Sequence, residues 1–236
     1  RPRDRMQQTT NPPIMAALEG LRRHGLDPVV LPAERPRACD LAVVWGVKRP
    51  RAMVSGRRAL VLECGYIGDR LREWFSAGYD GLNGKADFCN RDVPSDRWDK
   101  HFARYMRPWR GNHDGEYVLI MGQVAKDFSV RGIVNIRDWD RDVAGEIARA
   151  GHVARFRPHP NDRSQAIVPG AQTLHGSLDA ALASAKWVVT FNSNSGVNAV
   201  LYGVPAVTVD RGAMSWDVTG HKISSPPPMP DRSDWG

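Results

Sequence analysis

The sequence predicts an α/β fold of two domains, each a parallel sheet with helices packed on it. Three observations predict it. Short apolar runs alternate with helical patterns through the first half of the chain. The same alternation restarts after the breaker-rich segment 108–115, Pro-Trp-Arg-Gly-Asn-His-Asp-Gly. Finally, the apolar run 187–190 stops at Phe191-Asn192-Ser193-Asn194-Ser195-Gly196. A short helical pattern follows, closes at Gly203, and a second apolar run begins at Ala206. Strand, polar loop, helix and strand in that order is the repeating unit of a parallel sheet.

The elements follow in order. Asn11 and Pro12 open a helix that carries Ile14, Leu18 and Leu21 on one face and closes at Gly25. Apolar runs at 28–31, 41–45 and 59–63 are spaced like strands. Residues 96–106 read as a helix, and the breakers behind them mark a boundary between domains 1–112 and 113–236. In the second domain 117–121 is a strand, and 138–150 is a helix with acids in its first turn and Gly151 behind it. The strand 153–156 runs into Arg157-Pro158-His159-Pro160. Ser177 caps a helix through residue 185, 187–190 is a strand, and 206–209 is the last one. A proline-rich tail starts near Ser224. Two Rossmann-like domains facing a cleft is the simplest architecture, with ligands bound beyond the carboxyl ends of the strands.

Composition narrows the function. The 236 residues are 42% hydrophobic and 25% charged, ordinary for a globular protein. No apolar run approaches the roughly 20 residues of a membrane span, and no signal-peptide pattern opens the chain. Three scattered cysteines without a CxxC pair fit a reducing, cytoplasmic compartment and argue against a zinc site or a disulfide framework. Cys64 as a nucleophile lacks a visible base. The net charge of +7 is uneven: residues 1–116 carry 21 Lys and Arg against 15 Asp and Glu, and the remainder 12 against 11. A basic first half fits a polyanionic partner or a solvated basic face. Lys48, Arg49, Arg51, Arg70, Arg107 and Arg110 are the candidates for gripping such an acceptor.

Four segments at strand ends of the second half gather the candidate donor site. They are Gly122 and Gln123 with Lys126, Asp127 and Ser129; Arg157 and His159; Ser193, Asn194, Ser195 and Gly196, with Asn198 one turn on; and Asp210 with Arg211. A polar loop that opens a helix aims backbone N–H groups at an anion, most often phosphate. Arg157 and Lys126 would neutralise a diphosphate, so the leaving group of a sugar transfer needs neither a metal nor a prosthetic group. His159 reads either as a phosphate or sugar ligand or as a loop histidine held by its flanking prolines. Asp138-Trp139-Asp140 has the DxD spacing that binds a metal and a nucleotide-sugar elsewhere. Here it opens a helix, where acids complement the macrodipole, and no metal is assigned.

These pieces resemble the capsular-polysaccharide-type glycosyltransferases. The likeness rests on Gly122-Gln123-x-x-x-Asp127-x-Ser129, Arg157-Pro158-His159-Pro160, and Asn194-Ser195-Gly196-Val197-x-Ala199-x-x-x-Gly203-x-Pro205. Glu63-Cys64-Gly65-Tyr66-Ile67 resembles an acceptor-half segment of the same group. The resemblance implies a GT-B fold, a nucleotide-sugar donor such as a UDP-sugar, and no required metal. Asn198 departs from it, because an acid at that place commonly holds the donor ribose.

Transfer with inversion needs a base from the first half, facing the donor. Asp69 and Glu63 flank a Gly-rich turn and are rival candidates, with His113 behind them. An ion pair to Arg70 or Arg72 and a strand-end cap are the structural alternatives for the two carboxylates. Trp74 reads as core; Trp98 and Trp109, among basic residues, fit either stacking or core. The leading expectation is a glycosyltransferase acting on DNA that bears 5-hydroxymethylcytosine, as in phage enzymes that glycosylate DNA in an infected bacterial host. The alternatives are a capsular polysaccharide glycosyltransferase, a non-catalytic nucleic-acid-binding module, and an epimerase or hydrolase of nucleotide sugars.

Overall fold

A computed structural model describes residues 11–32, 34–48, 52, 54–68, 74–111, 114–162 and 167–232. The chain divides into two compact units, Arg1–Asp92 and Val93–Gly236.

The first unit opens with helix α1 (Pro12–Arg23). Asn11 Oδ1 accepts the Ile14 N–H at 3.2 Å, and Gly25 ends the turn at φ +75°. Strands β1 (Cys39–Trp45), β2 (Gly56–Cys64) and β3 (Phe75–Tyr79) form a sheet in that order. β1 and β2 are parallel, but β3 runs antiparallel to β2, with Leu60 opposite Tyr79 and Glu63 opposite Ser76. The parallel sheet expected for this half is therefore a mixed one. Residues 28–31 form no strand. The third strand, Phe-Ser-Ala-Gly-Tyr, has a weak local pattern and owes its state to pairing along β2. Arg58 secures that edge: it meets Asp80 at 2.8 Å and Asp87 at 3.3 Å and lies 4.2 Å from the Tyr79 ring centroid.

The second unit starts with the short helix α2 (Asp96–His101) and is built on strands β4 (Tyr117–Met121), β5 (Ala154–Arg157), β6 (Gln172–Thr173), β7 (Ala185–Thr190) and β8 (Ala206–Thr208). They pair in the order β6-β5-β4-β7-β8, all parallel. Helices α3 (Ile136–Arg149), α4 (Leu178–Ala183) and α5 (Ser195–Tyr202) connect them. β4 is buried at every position, as a central strand covered on both faces must be. The period of two sorts its side chains: Tyr117, Leu119 and Met121 pack with α4 and α5, whereas Val118 and Ile120 pack with Val143, Ala144 and Ile147 of α3. Asn135 and Ser177 cap α3 and α4 through their side-chain oxygens. α5 ends at Gly203, φ +80°, where the Pro108 carbonyl occupies the space a Cβ would need.

The division at Asp92 falls earlier than the expected boundary at 112. Composition marked an irregular segment, and hydrogen bonds assign it to the second unit. The Arg107 N–H donates to Leu201 O at 2.8 Å and the Arg110 N–H to Gly203 O at 2.7 Å. Trp109 packs on the α4–α5 side of the core, and its Nε1 donates to Pro230 O at 2.8 Å. Arg232 in the proline-rich tail is buried over the Trp109 ring and donates to Val200 O and Arg107 O. No helix among the described residues is long and apolar enough to cross a membrane.

Candidate functional site

The sheet order places a topological switch point between β4 and β7. The chain winds outward from β4 through β5 to β6, then crosses over to β7 and β8. In parallel sheets such a point is where ligands bind. The four predicted donor segments all follow carboxyl ends of strands in this sheet.

Two polar nodes join those segments. Asn192, just beyond β7, is the first. Its amide receives from Gln123 Nε2 at 2.8 Å and donates to Ser129 O at 2.7 Å and to Asp210 Oδ1 at 3.2 Å. Its backbone N–H donates to Gln123 Oε1 at 3.1 Å. Gln123 and Asn192 are 5% and 3% exposed, so Gln123 spends its amide on the loops and not on a ligand. Asp210 does the same, accepting also from Gly212 N–H at 2.8 Å. The sequence reading missed Asn192; the available signal was a lone amide set directly behind a buried apolar strand. Arg137 is the second node. It sits in the first turn of α3 and its guanidinium bridges Asp140 (3.4 Å) and Asp162, which lies behind β5.

Gly122 serves packing: a Cβ there would stand 2.7 Å from the Phe156 ring, and its N–H donates to Arg157 O at 2.9 Å. Asp127 organises its own turn, its carboxylate accepting the Ser129 N–H and its carbonyl the Arg131 N–H. Lys126 is exposed beside it.

The loop before α5 differs from the expectation of free backbone N–H groups. Ser193 already takes two of them: its Oγ accepts from Ser195 N–H at 3.2 Å and its carbonyl from Gly196 N–H at 2.9 Å. The Asn198 N–H goes to Asn194 O. Two buried hydroxyls are left without a hydrogen-bond partner, Ser195 Oγ and Ser215 Oγ. Ser215 faces the first turn of α5, and a Cβ on Gly196 would stand 2.5 Å from its Oγ. Asn198 lies one turn along the half-exposed stripe formed by Ser195, Asn198 and Tyr202.

Arg157, at the end of β5, is a partly buried cation at this edge. Its Nη2 donates to Gly176 O at 3.2 Å, and its buried Nε has no partner. No carboxylate among the described residues pairs with it. Burial pushes its pKa down from the ordinary guanidinium value, with no opposing charge to restore it. His159 stands two residues on, its Nδ1 accepting the Asn161 N–H at 3.1 Å.

The two acids of Asp138-Trp139-Asp140 part company. Asp138 is half-exposed and pairs with Arg141 at 2.8 Å, whereas Asp140 is fully buried. Burial raises the Asp140 pKa to about 7, with the Asp162 charge adding to the effect and Arg137 opposing it. Helical geometry thus sends the pair to different environments.

In the first unit Glu63 is the next-to-last residue of β2. Its Oε1 accepts the Cys64 N–H at 2.9 Å, and its other oxygen lies 3.2 Å from where a Cβ on Gly46 would stand. Tyr66 donates to Asn83 Oδ1 at 3.1 Å and accepts from Ser76 at 3.4 Å. Asp69, Arg49, Arg51, Arg70 and His113 lie outside the described residues. Lys48 is exposed. Arg107 and Arg110 belong to the second unit. Arg110 donates to the carbonyls of Ala183 and Ala185, and Arg107 stacks 3.8 Å from the Tyr202 ring centroid. The carbonyls and ring that these two acceptor candidates meet are distant in sequence.

No family model and no curated protein sequence matches the chain. Solved structures do. The "beta Kdo 2,7 transferase" of Thermosulfurimonas dismutans KpsC superimposes with a TM-score of 0.54 at 16% identity, covering 83% of this chain and 75% of that one. The "beta Kdo 2,4 transferase" of the same protein gives 0.51 at 16% identity, covering 82% and 77%. The chain shares with these transferase structures an α/β fold, in which its own contribution includes the five-stranded parallel sheet.

Proposed function

We propose that the protein is a glycosyltransferase that moves a sugar from a nucleotide-activated donor to a hydroxyl of a glycan. The observation that carries this reading is Arg157, a partly buried guanidinium that pairs with no carboxylate among the described residues, at the carboxyl edge of a parallel sheet. A buried cation without a counter-charge is costly, and an anionic ligand offsets that cost. A donor diphosphate or an acidic sugar is such a ligand; Lys126, Ser195 and Asn198 likewise follow the carboxyl ends of strands in this sheet. The motif resemblance to capsular-type glycosyltransferases and the fold shared with Kdo transferases support the same reaction class.

In this reading the acceptor oxygen bonds to the anomeric carbon as the bond from that carbon to the phosphate oxygen breaks. The nucleotide leaves with the electron pair, and the acceptor proton passes to Glu63 or Asp69. Arg157 and Lys126 meet the charge that develops on the leaving group, so the proposal assigns no metal. The two units correspond in this reading to the acceptor and donor halves of a GT-B enzyme. The DNA acceptor expected from the basic first half draws no support from the structural relatives, and Arg107 and Arg110 are engaged within the second unit. A glycan takes its place.

The test is incubation with a pool of nucleotide sugars that includes activated Kdo and uridine diphosphate sugars. Acidic capsule-type oligosaccharides and hydroxymethylcytosine DNA are offered in parallel, and products are weighed by mass spectrometry. A sugar-sized gain on the oligosaccharide is expected. A gain on DNA alone restores the DNA acceptor, and the absence of both transfer and nucleotide-sugar binding overturns the proposal.

A further inference from the structure

The loop that carries His159 is held from outside itself. Its turn closes through the Asp162 N–H, which donates to His159 O at 2.8 Å. The Asn161 N–H donates to His159 Nδ1, which leaves the ring hydrogen of the neutral imidazole on Nε2. The far end of the turn is fastened by the Asp162 carboxylate to Arg137 in the first turn of α3. Arg137 is in turn held against Asp140, which is fully buried, while the Asp162 side chain is 7% exposed.

A buried arrangement of one guanidinium and two carboxylates is a poor source of stability. Desolvation of three charges consumes most of the Coulombic gain, and here Asp140 Oδ1 has no hydrogen-bond partner. What the arrangement supplies is position. Arg137 presents two diverging N–H edges, so it fixes Asp162 relative to α3 in both distance and direction. α3 follows directly from the β4 loop that carries Gln123, Lys126 and Ser129. Arg137 thereby registers the loop behind β5 against the loop behind β4.

We propose that Arg137 is a positioning residue of the donor site, acting through Asp162 to hold the His159 imidazole with its Nε2–H in a fixed direction. The proposal rests on the reading of this sheet edge as a donor site. It adds a residue remote from the motifs, in the helix that carries Asp138-Trp139-Asp140.

The test uses side-chain NMR of the His159 ring nitrogens in the ligand-free protein, assigned with His159→Gln. In the wild type one nitrogen is expected at the acceptor shift and the other at the N–H shift. In Asp162→Asn and in Arg137→Gln the two are expected to converge toward the average of exchanging tautomers. Asp162→Asn leaves Arg137 on Asp140, so it serves if Arg137→Gln does not fold. Inorganic pyrophosphate is then titrated. Asp162→Asn and His159→Gln are each expected to weaken it several-fold, and the double variant no further than His159→Gln alone. Unchanged ring signals in a folded variant, or losses that add in the double variant, would overturn the positioning role. Converging ring signals in a protein whose wild type binds no pyrophosphate would keep the positioning role and remove the donor-site reading.

Discussion

Gln123 and Asn192 hold each other across the switch point of the parallel sheet. The Gln123 amide donates to Asn192 Oδ1 at 2.8 Å, and the Asn192 N–H donates back to Gln123 Oε1 at 3.1 Å. Through the remaining amide hydrogens of Asn192 the pair also fastens Ser129 and Asp210. Three loops of the candidate site therefore share one buried node.

Removing Asn192 should be felt in all three loops. Asn192→Ala strips partners from the buried Gln123 amide, and a buried unsatisfied polar group costs about 1–3 kcal/mol. We expect a loss of about 2–3 kcal/mol in urea unfolding. In a double-mutant cycle Gln123→Ala and Asn192→Ala should be strongly non-additive. Additive losses would show that the two amides do not act as a unit.

Arg157→Met should separate stability from binding. The guanidinium is partly buried with no counter-charge among the described residues, so replacing it with an apolar side chain should leave unfolding free energy unchanged or slightly raised. Affinity for the nucleotide-sugar donor should fall at least about tenfold, the scale of one lost charge-assisted hydrogen bond. Calorimetric titration that finds equal affinity in the variant would remove Arg157 from the site.

Asp140 gives stability a pH dependence of known sign. Its folded pKa is raised to about 7, so between the ordinary carboxylate value and that point the folded state holds more protons than the unfolded one. Its contribution is therefore fully favourable below about pH 4 and is lost as the pH rises through about 7. Asp140→Asn should gain on wild type by a few kcal/mol at pH 8, on the scale of about 1.4 kcal/mol for each tenfold change in proton affinity. At pH 4 the two proteins should differ little. Urea unfolding of both at the two pH values checks it; a gap independent of pH would contradict the burial argument.

Gly46→Ala should affect turnover through Glu63. Gly46 sits at φ +63°, and a Cβ there would press to 3.2 Å from the Glu63 carboxylate. If Glu63 takes the acceptor proton, Glu63→Gln should reduce kcat by at least about a hundredfold, and Gly46→Ala should lower kcat with donor KM little changed. Full kcat in Glu63→Gln would pass the role to Asp69.

Arg232→Ala should loosen the second unit. Arg232 donates to the carbonyl of Val200, near the C-terminus of α5, and stacks 3.8 Å from the Trp109 ring centroid. Both contacts favour a cation. We expect a loss of about 2 kcal/mol, read as a lower Tm. An unchanged Tm would mean that the tail merely lies on the unit.

Several features were legible in the sequence because they are local. The strands 117–121 and 187–190, the caps Asn11 and Ser177, and the helix stop at Gly203 follow from periodicity, side-chain oxygens placed before a helical run, and a residue tolerant of positive φ. So does the gathering of the donor-side motifs at one sheet edge, since every strand of a right-handed parallel sheet presents its carboxyl end on the same side.

By itself, then, the sequence determined the α/β class, the rhythm of the second unit and the sheet edge where its polar motifs gather. Only the tertiary structure decided what individual polar residues do there. It turned Gln123 and Asp210 onto Asn192, left Arg157 Nε buried without a hydrogen-bond partner among the described residues, buried Asp140 beneath Arg137, made β3 antiparallel and attached Arg107 and Arg110 to the second unit. The physical reason is the same in each case. A hydrogen-bond partner, a counter-ion or a strand neighbour distant along the chain leaves no trace in local pattern, and desolvation depends on everything packed around a group, not on the group alone.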